Sequence, residues 1–353
     1  MTLFSPTLTA EEKFLFTKHL AVLVRGGIPL LEAIRSLAET AKSARMNRIL
    51  SGLGDAVENG QTLSSACSRY PKTFDVFYRS LLSVGEISGT LDKSLSFLSE
   101  SLEKRHALRR KIASFLLYPG FVLTAAVIVG SFVSFFVLPK LIPLFSSFET
   151  ELPASTRILL SFAEIMREHG TSILLALAAV AVAVPLVVSL PIVRPLWHRF
   201  LLTLPFLGSF FQATAISVFS RDLSLMLGSG ITLSNALSIE KDMLSNEVFR
   251  RYVGRLELSV TQGKTLESEL LSGEYPHVPM LVGKMIGAGE RTGKLDDAFR
   301  ELADFFEEEA DAAARNFASV LEPLLILIVG GLVAFVALSI ITPLYTLTGS
   351  VHR

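Results

Sequence analysis

The sequence predicts an all-α integral membrane protein in which two duplicated cytoplasmic helical-bundle domains are joined to three transmembrane helices. Three observations predict this class. First, three apolar stretches carry no charge over a length that spans a bilayer core, which takes about 20 helical residues: Ile112 to Leu138, Thr171 to Val193 and Pro323 to Val351. Second, the segment that leads into the first stretch recurs before the third. Third, strand signals are poor, while apolar residues recur at helical spacing. Composition agrees: 50% of the 353 residues are hydrophobic and only 19% are charged, against roughly a quarter in soluble domains.

Residues 1-111 read as the first bundle. Met1 to Thr9 lacks the basic start and apolar core of a cleavable signal, and Glu11, Glu12 and Lys13 follow at once, so insertion is expected to use internal segments. Thr9 and Glu12 have capping-box spacing just before the stripe Phe16, Leu20, Leu23. Gly26-Gly27 suits a left-handed helix end, and Pro29 the first turn of the next helix. Further helices are expected near Ala44 to Asn59, Thr62 to Ser68 and Phe74 to Val84. A long helix from Leu91 meets no strong breaker before Pro119 and is expected to enter the membrane as one rod.

The remaining segments follow in order: span 112-139, periplasmic loop 140-170, span 171-193, second bundle 194-318, span 319-347 and periplasmic tail 348-353. Pro119, Pro185, Pro323 and Pro343 interrupt the spans; each removes a backbone donor and can kink its helix. Basic residues set the orientation. Lys104, Arg105, Arg109, Arg110 and Lys111 precede the first span, Arg194 and Arg199 follow the second, and Arg315 precedes the third. Both bundles, and the N-terminus, are therefore expected in the cytoplasm. The basic cluster needs no further role, although it could also meet anionic lipid headgroups.

The repeat is long. An offset of 203 pairs Phe16 with Phe219, Leu20 with Leu223, Gly27-Ile28 with Gly230-Ile231, Ala33 with Ala236 and Thr62-Leu63 with Thr265-Leu266. An offset of 204 then pairs Gly85-Glu86 with Gly289-Glu290, Gly89 with Gly293, Leu91-Asp92 with Leu295-Asp296, Pro119 with Pro323 and Pro139 with Pro343. The span 171-193 has no counterpart. It returns the chain to the first side, so the repeat is parallel.

Catalytic constellations are absent. Gly263-Lys264-Thr265 resembles the end of a phosphate-binding loop, but Leu258 stands where the earlier glycine is required. A turn with a Thr helix cap explains it. The six histidines are scattered with no pair at helical zinc spacing. The three apolar stretches Ile112 to Leu138, Thr171 to Val193 and Pro323 to Leu347 contain no Asp, Glu, Lys, Arg or His, which most ion-coupled transporters need. The lone cysteine, Cys67, cannot form an internal disulfide and reads as a small buried apolar residue. Zero net charge gives no bulk attraction to nucleic acid. The acidic run Glu307-Glu308-Glu309 reads as a solvated helix face. No catalytic residue, cofactor or metal is expected. An oligomeric membrane transporter or channel is the alternative and would require polar stripes in the spans, which are weak.

The segments Gly85-Glu86-Ile87-Ser88-Gly89-Thr90-Leu91-Asp92 and Gly289-Glu290-Arg291-Thr292-Gly293-Lys294-Leu295-Asp296 resemble the hallmark of the type II secretion inner-membrane F proteins and of the related type IV pilus platform proteins. Phe16 to Ala33, Phe219 to Ala236 and Gly60-Gln61-Thr62-Leu63 resemble the same family's domain start and middle turn. The resemblance covers nearly the whole chain. It implies a non-enzymatic inner-membrane platform that couples a cytoplasmic hexameric assembly ATPase to the handling of pilin or pseudopilin subunits. It also implies other inner-membrane assembly components as partners, membrane lipid around the spans, and a homo-oligomer. Gly85, Glu86, Gly89, Asp92, Gly289, Glu290, Gly293 and Asp296 are the partner-binding candidates, set against a purely structural role in which each glutamate caps a helix start and Gly89 and Gly293 supply positive φ.

Overall fold

The computed structural model describes residues 7–132, 154–205, 207–244 and 246–350, and among these every regular element is a helix. In chain order they are α1 (Ala10–Arg25), α2 (Leu30–Glu39), α3 (Ala44–Glu58), α4 (Leu63–Cys67), α5 (Val76–Ser88) and α6 (Leu91–Phe132), then α7 (Ala154–Ser189) and α8 (Arg194–Thr203). There follow α9 (Leu207–Gly228), α10 (Leu233–Met243), α11 (Glu247–Thr261), α12 (Leu266–Leu270), α13 (Met280–Thr292) and α14 (Leu295–Ser350). Helices α1 to α6 recur in order as α9 to α14.

Local chemistry sets the boundaries. The Thr9 hydroxyl accepts the Glu12 N–H at 3.1 Å while the Glu12 carboxylate accepts the Thr9 N–H at 2.8 Å, so α1 opens on a complete capping box. It ends at Gly26, and the left-handed residue is the next one, Gly27, with φ 83°. Pro29 stands just outside α2, as its N-cap, rather than in the first turn. Helix α5 starts two residues later than the apolar pattern implies, because Asp75 caps it by accepting the Tyr78 N–H at 2.9 Å. It runs on to Ser88, past Val84, and stops where Gly89 turns left-handed. Helix α6 passes unbroken through Pro119.

One expectation needs correction. The loop placed at 140-170 is helical from Ala154 onward, continuous with the following apolar stretch to Ser189. After Pro153 the sequence has neither Gly nor Pro until Gly170, so nothing stops a helix there. Residues 133–153, which hold the end of the first expected span and the rest of that loop, lie outside the described residues, as do 351–353 of the expected tail.

The chain divides into two compact units. One joins residues 1–111 with 195–313. Its core includes Phe16, whose ring lies 6.2 Å from that of Phe74, and Phe219, 5.9 Å from Phe299. Cys67 is fully buried there, and burial pushes its thiol far up, so it is not a reactive thiolate. The other unit joins 112–194 with 314–353 and exposes large apolar side chains, among them Leu117 and Phe121 on α6, Leu175 and Leu186 on α7, and Ile326 and Leu327 on α14. Among the described residues one helix, Leu295–Ser339, is long and apolar enough to cross a membrane; the apolar stretch Gly120–Phe132 is shorter. Helices α8 and α9 meet at 112° and are not a broken span, since α9 buries Arg221 and Asp222 inside the bundle.

Candidate functional site

The two glycine-flanked segments close helical hairpins, α5 to α6 and α13 to α14. In the first, the Thr90 N–H reaches back to the Gly85 carbonyl at 2.8 Å, and Gly89 takes φ 68°. In the second, the Lys294 N–H bonds the Gly289 carbonyl at 2.9 Å, the Gly293 N–H bonds the Glu290 carbonyl at 3.4 Å, and Gly293 takes φ 70°. This is a Schellman ending, whose left-handed residue favours glycine. Gly85 and Gly289 have another reason to be glycine. A Cβ on Gly85 would lie 2.4 Å from Ser94 Oγ, and one on Gly289 would lie 2.7 Å from the Ala298 Cβ. The helices of each hairpin cross at these two points. Asp92 and Asp296 stand in the first turns of α6 and α14, where a carboxylate meets the positive end of the helix dipole.

The glutamates face inward to their own bundles. Glu86 accepts the backbone N–H groups of Leu63 and, at 3.1 Å, Ser64, and also the Ser64 hydroxyl. Glu290 accepts those of Leu266 at 2.7 Å and Glu267 at 3.0 Å. Thr62 and Thr265 take the next donors, Ser65 N–H and Ser268 N–H, each at 3.2 Å. The short helices α4 and α12 thus begin with their free donors satisfied, two of them by a carboxylate from another helix. Gly263-Lys264-Thr265 is the turn before α12, with Gly263 at φ 81° and Thr265 as cap. Each set of four motif residues is gathered in one hairpin. Among the described residues no hydrogen bond or ion pair joins the two sets of motif residues; farther along the same hairpins, Lys104 on α6 pairs with Glu307 on α14 and Lys111 with Asp311.

A second constellation, which sequence reasoning missed, joins the repeats. Asp222, 1% exposed, pairs with Arg105 and accepts the Ser101 hydroxyl at 3.2 Å. Arg221 reaches Asp304 at 2.8 Å and Glu307 at 2.7 Å. Glu307 also holds Lys104 at 2.9 Å, and Lys111 pairs with Asp311 at 2.7 Å. The basic cluster before the first span and part of the acidic run before the third are therefore partners, which corrects the reading of Glu307 as merely solvated. Glu240 is equally buried, and its Oε2 has no hydrogen-bond partner. Burial drives its carboxyl well above the usual range, and the neighbouring Asp222 adds to the shift. Asp222 already receives Ser101 and Arg105, so the proton of this pair belongs on Glu240. A cavity of about 50 Å³ beside the cluster is lined by Ser101, Arg105, Thr214 and Arg221 among others; it is water-sized and far below the few hundred Å³ of a typical ligand pocket. The visible signal was Arg221-Asp222 set within an apolar helix stripe.

The profile of the family described as Type II secretion system (T2SS), protein F matches the chain twice, over residues 16–139 and 219–343. The chain belongs to this protein F family. Both matches start and end on residues that the internal repeat pairs: Phe16 with Phe219 and Pro139 with Pro343. Relatives bear names from two machines. A type IV pilus assembly protein PilC of Thermus thermophilus is 33% identical over 337 residues, covering 95% of this chain and 82% of the relative. The type II secretion system protein F of Aeromonas hydrophila is 30% identical over 350 residues, 99% of this chain and 90% of the relative. A PilC of Myxococcus xanthus is 28% identical over 342 residues, 97% and 82% respectively.

Proposed function

We propose that this protein F family member is a non-enzymatic inner-membrane platform of a type II secretion or type IV pilus assembly machine. It couples a cytoplasmic assembly ATPase to the addition of pilin or pseudopilin subunits. The observation that carries this reading is the doubled family match, each copy a helical bundle that continues into an apolar helix. In this reading both bundles, 1-111 and 194-318, are cytoplasmic. Three spans, 112-139, 171-193 and 319-347, hold them there, and several copies assemble together. The exposed apolar surfaces of α6, α7 and α14 favour lipid as their surroundings.

The hairpin ends are the proposed docking edges. Glu86 and Glu290 are engaged as internal caps, so their part is to fix the edge, with Gly85, Gly89, Asp92, Gly289, Gly293 and Asp296 shaping it. The side chains offered to a partner stand beside them: Ile87, 86% exposed, with Ser88, and in the second copy Thr292 with Arg291, whose guanidinium also pairs with Glu267. Co-purification of the full-length protein with the assembly ATPase tests this. Ile87→Asp and Arg291→Ala are expected to abolish association; Ile87→Asp leaves the melting temperature unchanged, and Arg291→Ala lowers it at most slightly, since only an exposed ion pair with Glu267 is lost. Undiminished association of the double variant would remove the docking edges from the account.

A further inference from the structure

Helix α8 has a buried side fixed to the second bundle and an apolar side that the bundle leaves uncovered. On the buried side, Leu202 is 7% exposed. His198 Nδ1 accepts the Glu247 N–H at 3.1 Å, which ties α8 to the start of α11. Backbone hydrogen bonds tie the corner into α9. The Leu207 N–H bonds the Pro205 carbonyl at 2.7 Å, the Gly208 N–H bonds the Leu204 carbonyl at 2.8 Å, and a Cβ on Gly208 would lie 2.4 Å from the Leu202 carbonyl oxygen. Any residue but glycine there would force the corner open, so α8 is held crosswise to α9.

On the other side, Leu196 is 69% and Phe200 51% exposed. Four residues apart, they share one helix face. The Trp197 ring lies 5.8 Å from that of Phe200, and Arg199 is exposed beside them. In the chain this helix directly follows the charge-free stretch Thr171 to Val193 and opens on Arg194. Leucine and phenylalanine on one face, tryptophan at its margin and arginines flanking it form the pattern of a helix that lies in the headgroup layer.

We infer that α8 is an interfacial helix. Its Leu196–Phe200 face enters the upper acyl region, and Arg194 and Arg199 meet lipid phosphates. The partner is the bilayer surface, and the consequence is mechanical: the second bundle is fixed to the membrane plane by a side-lying helix as well as by its chain connections. The inference rests on the proposed span 171-193.

Trp197 is the only tryptophan in the chain, so its fluorescence reports on α8 alone. The full-length protein is reconstituted in vesicles of phosphatidylcholine and phosphatidylglycerol carrying bromine either near the ester end or near the methyl end of the acyl chains. The expected result is a blue-shifted emission, strongly lost with the shallow bromine, weakly with the deep one, and little affected by aqueous iodide. Leu196→Ser combined with Phe200→Ser is expected to shift the emission red and to cut the bromine quenching, with the protein still resistant to alkaline extraction. Emission untouched by bromine at either depth, with an Arg251→Cys thiol still shielded from the outside in intact spheroplasts, would overturn the interfacial helix and leave the span standing. Labelling of that thiol from the outside would overturn the span and the inference with it.

Discussion

Glu86 and Glu290 each replace solvent at the start of a short helix that would otherwise leave backbone donors free. Removing such a carboxylate is expected to cost about 1–3 kcal/mol. Glu290→Ala, measured by thermal or urea unfolding in detergent, is therefore expected to destabilise clearly, and Glu290→Gln less, since the amide oxygen still accepts one donor. The Glu240 carboxyl gives a pH prediction. It is held above its usual value of 4.5 by burial and by Asp222, while Arg105 opposes; Ser101 and Arg105 satisfy Asp222, with Asp75 farther off as a further negative charge. A carboxyl with a raised folded-state pKa binds its proton more tightly when folded. Its stability contribution is complete below about pH 4.5 and is lost as pH rises through the folded value. Glu240→Gln, which keeps a donor for Asp222 without a proton to lose, is expected to flatten the fall of melting temperature as pH rises above about 4.5 and to gain about 1 kcal/mol once the pH has passed the folded value. An unchanged slope would assign the proton elsewhere. The Thr9–Glu12 box and the Thr265 cap were legible in the sequence because their partners lie three residues away. The reach of Glu86 to Leu63, and of Arg105 to Asp222, depends on tertiary packing that no local pattern encodes.

The hairpins are held by close crossings, so their glycines are the sensitive positions. Gly289→Val places a branched side chain where a single Cβ already approaches Ala298 too closely. It is expected to cost about 1–3 kcal/mol and to raise hydrogen exchange in α13 and α14 before the rest of the bundle. Between elements, the rungs Lys104–Glu307 and Lys111–Asp311 are about 30–40% exposed, so a double-mutant cycle on either is expected to give less than about 1 kcal/mol. Arg221→Ala is expected to cost more, since Arg221 is buried and its loss leaves Asp304 and Glu307 facing each other. Helix ends were readable where glycine or a capping side chain marks them, as at Gly26-Gly27 and Gly89. The helical half of the expected loop was not. Polarity around Arg157, Glu164 and Glu168 read as loop, yet the chain there contains no breaker, and a polar segment can continue a helix that its apolar neighbour stabilises.

The two repeats differ in charge. Residues 1–111 carry 16 basic and 11 acidic side chains, and 194–318 carry 13 and 17, so the halves attract, and Arg105, Lys104 and Lys111 find their partners across the repeat. The repeat itself was legible because glycines and caps recur at fixed offsets; the pairing between copies was not, because it falls on residues the copies do not share. The central claim is that both bundles face one compartment, held so by the unmatched crossing at 171-193. The variants Arg45→Cys and Arg251→Cys each add one thiol at an exposed position, on α3 and α11, beside a buried Cys67, and report directly to a membrane-impermeant maleimide. Both are expected to be protected in intact spheroplasts and both labelled in inverted membrane vesicles. Labelling of one in spheroplasts and of the other only in inverted vesicles would contradict the account.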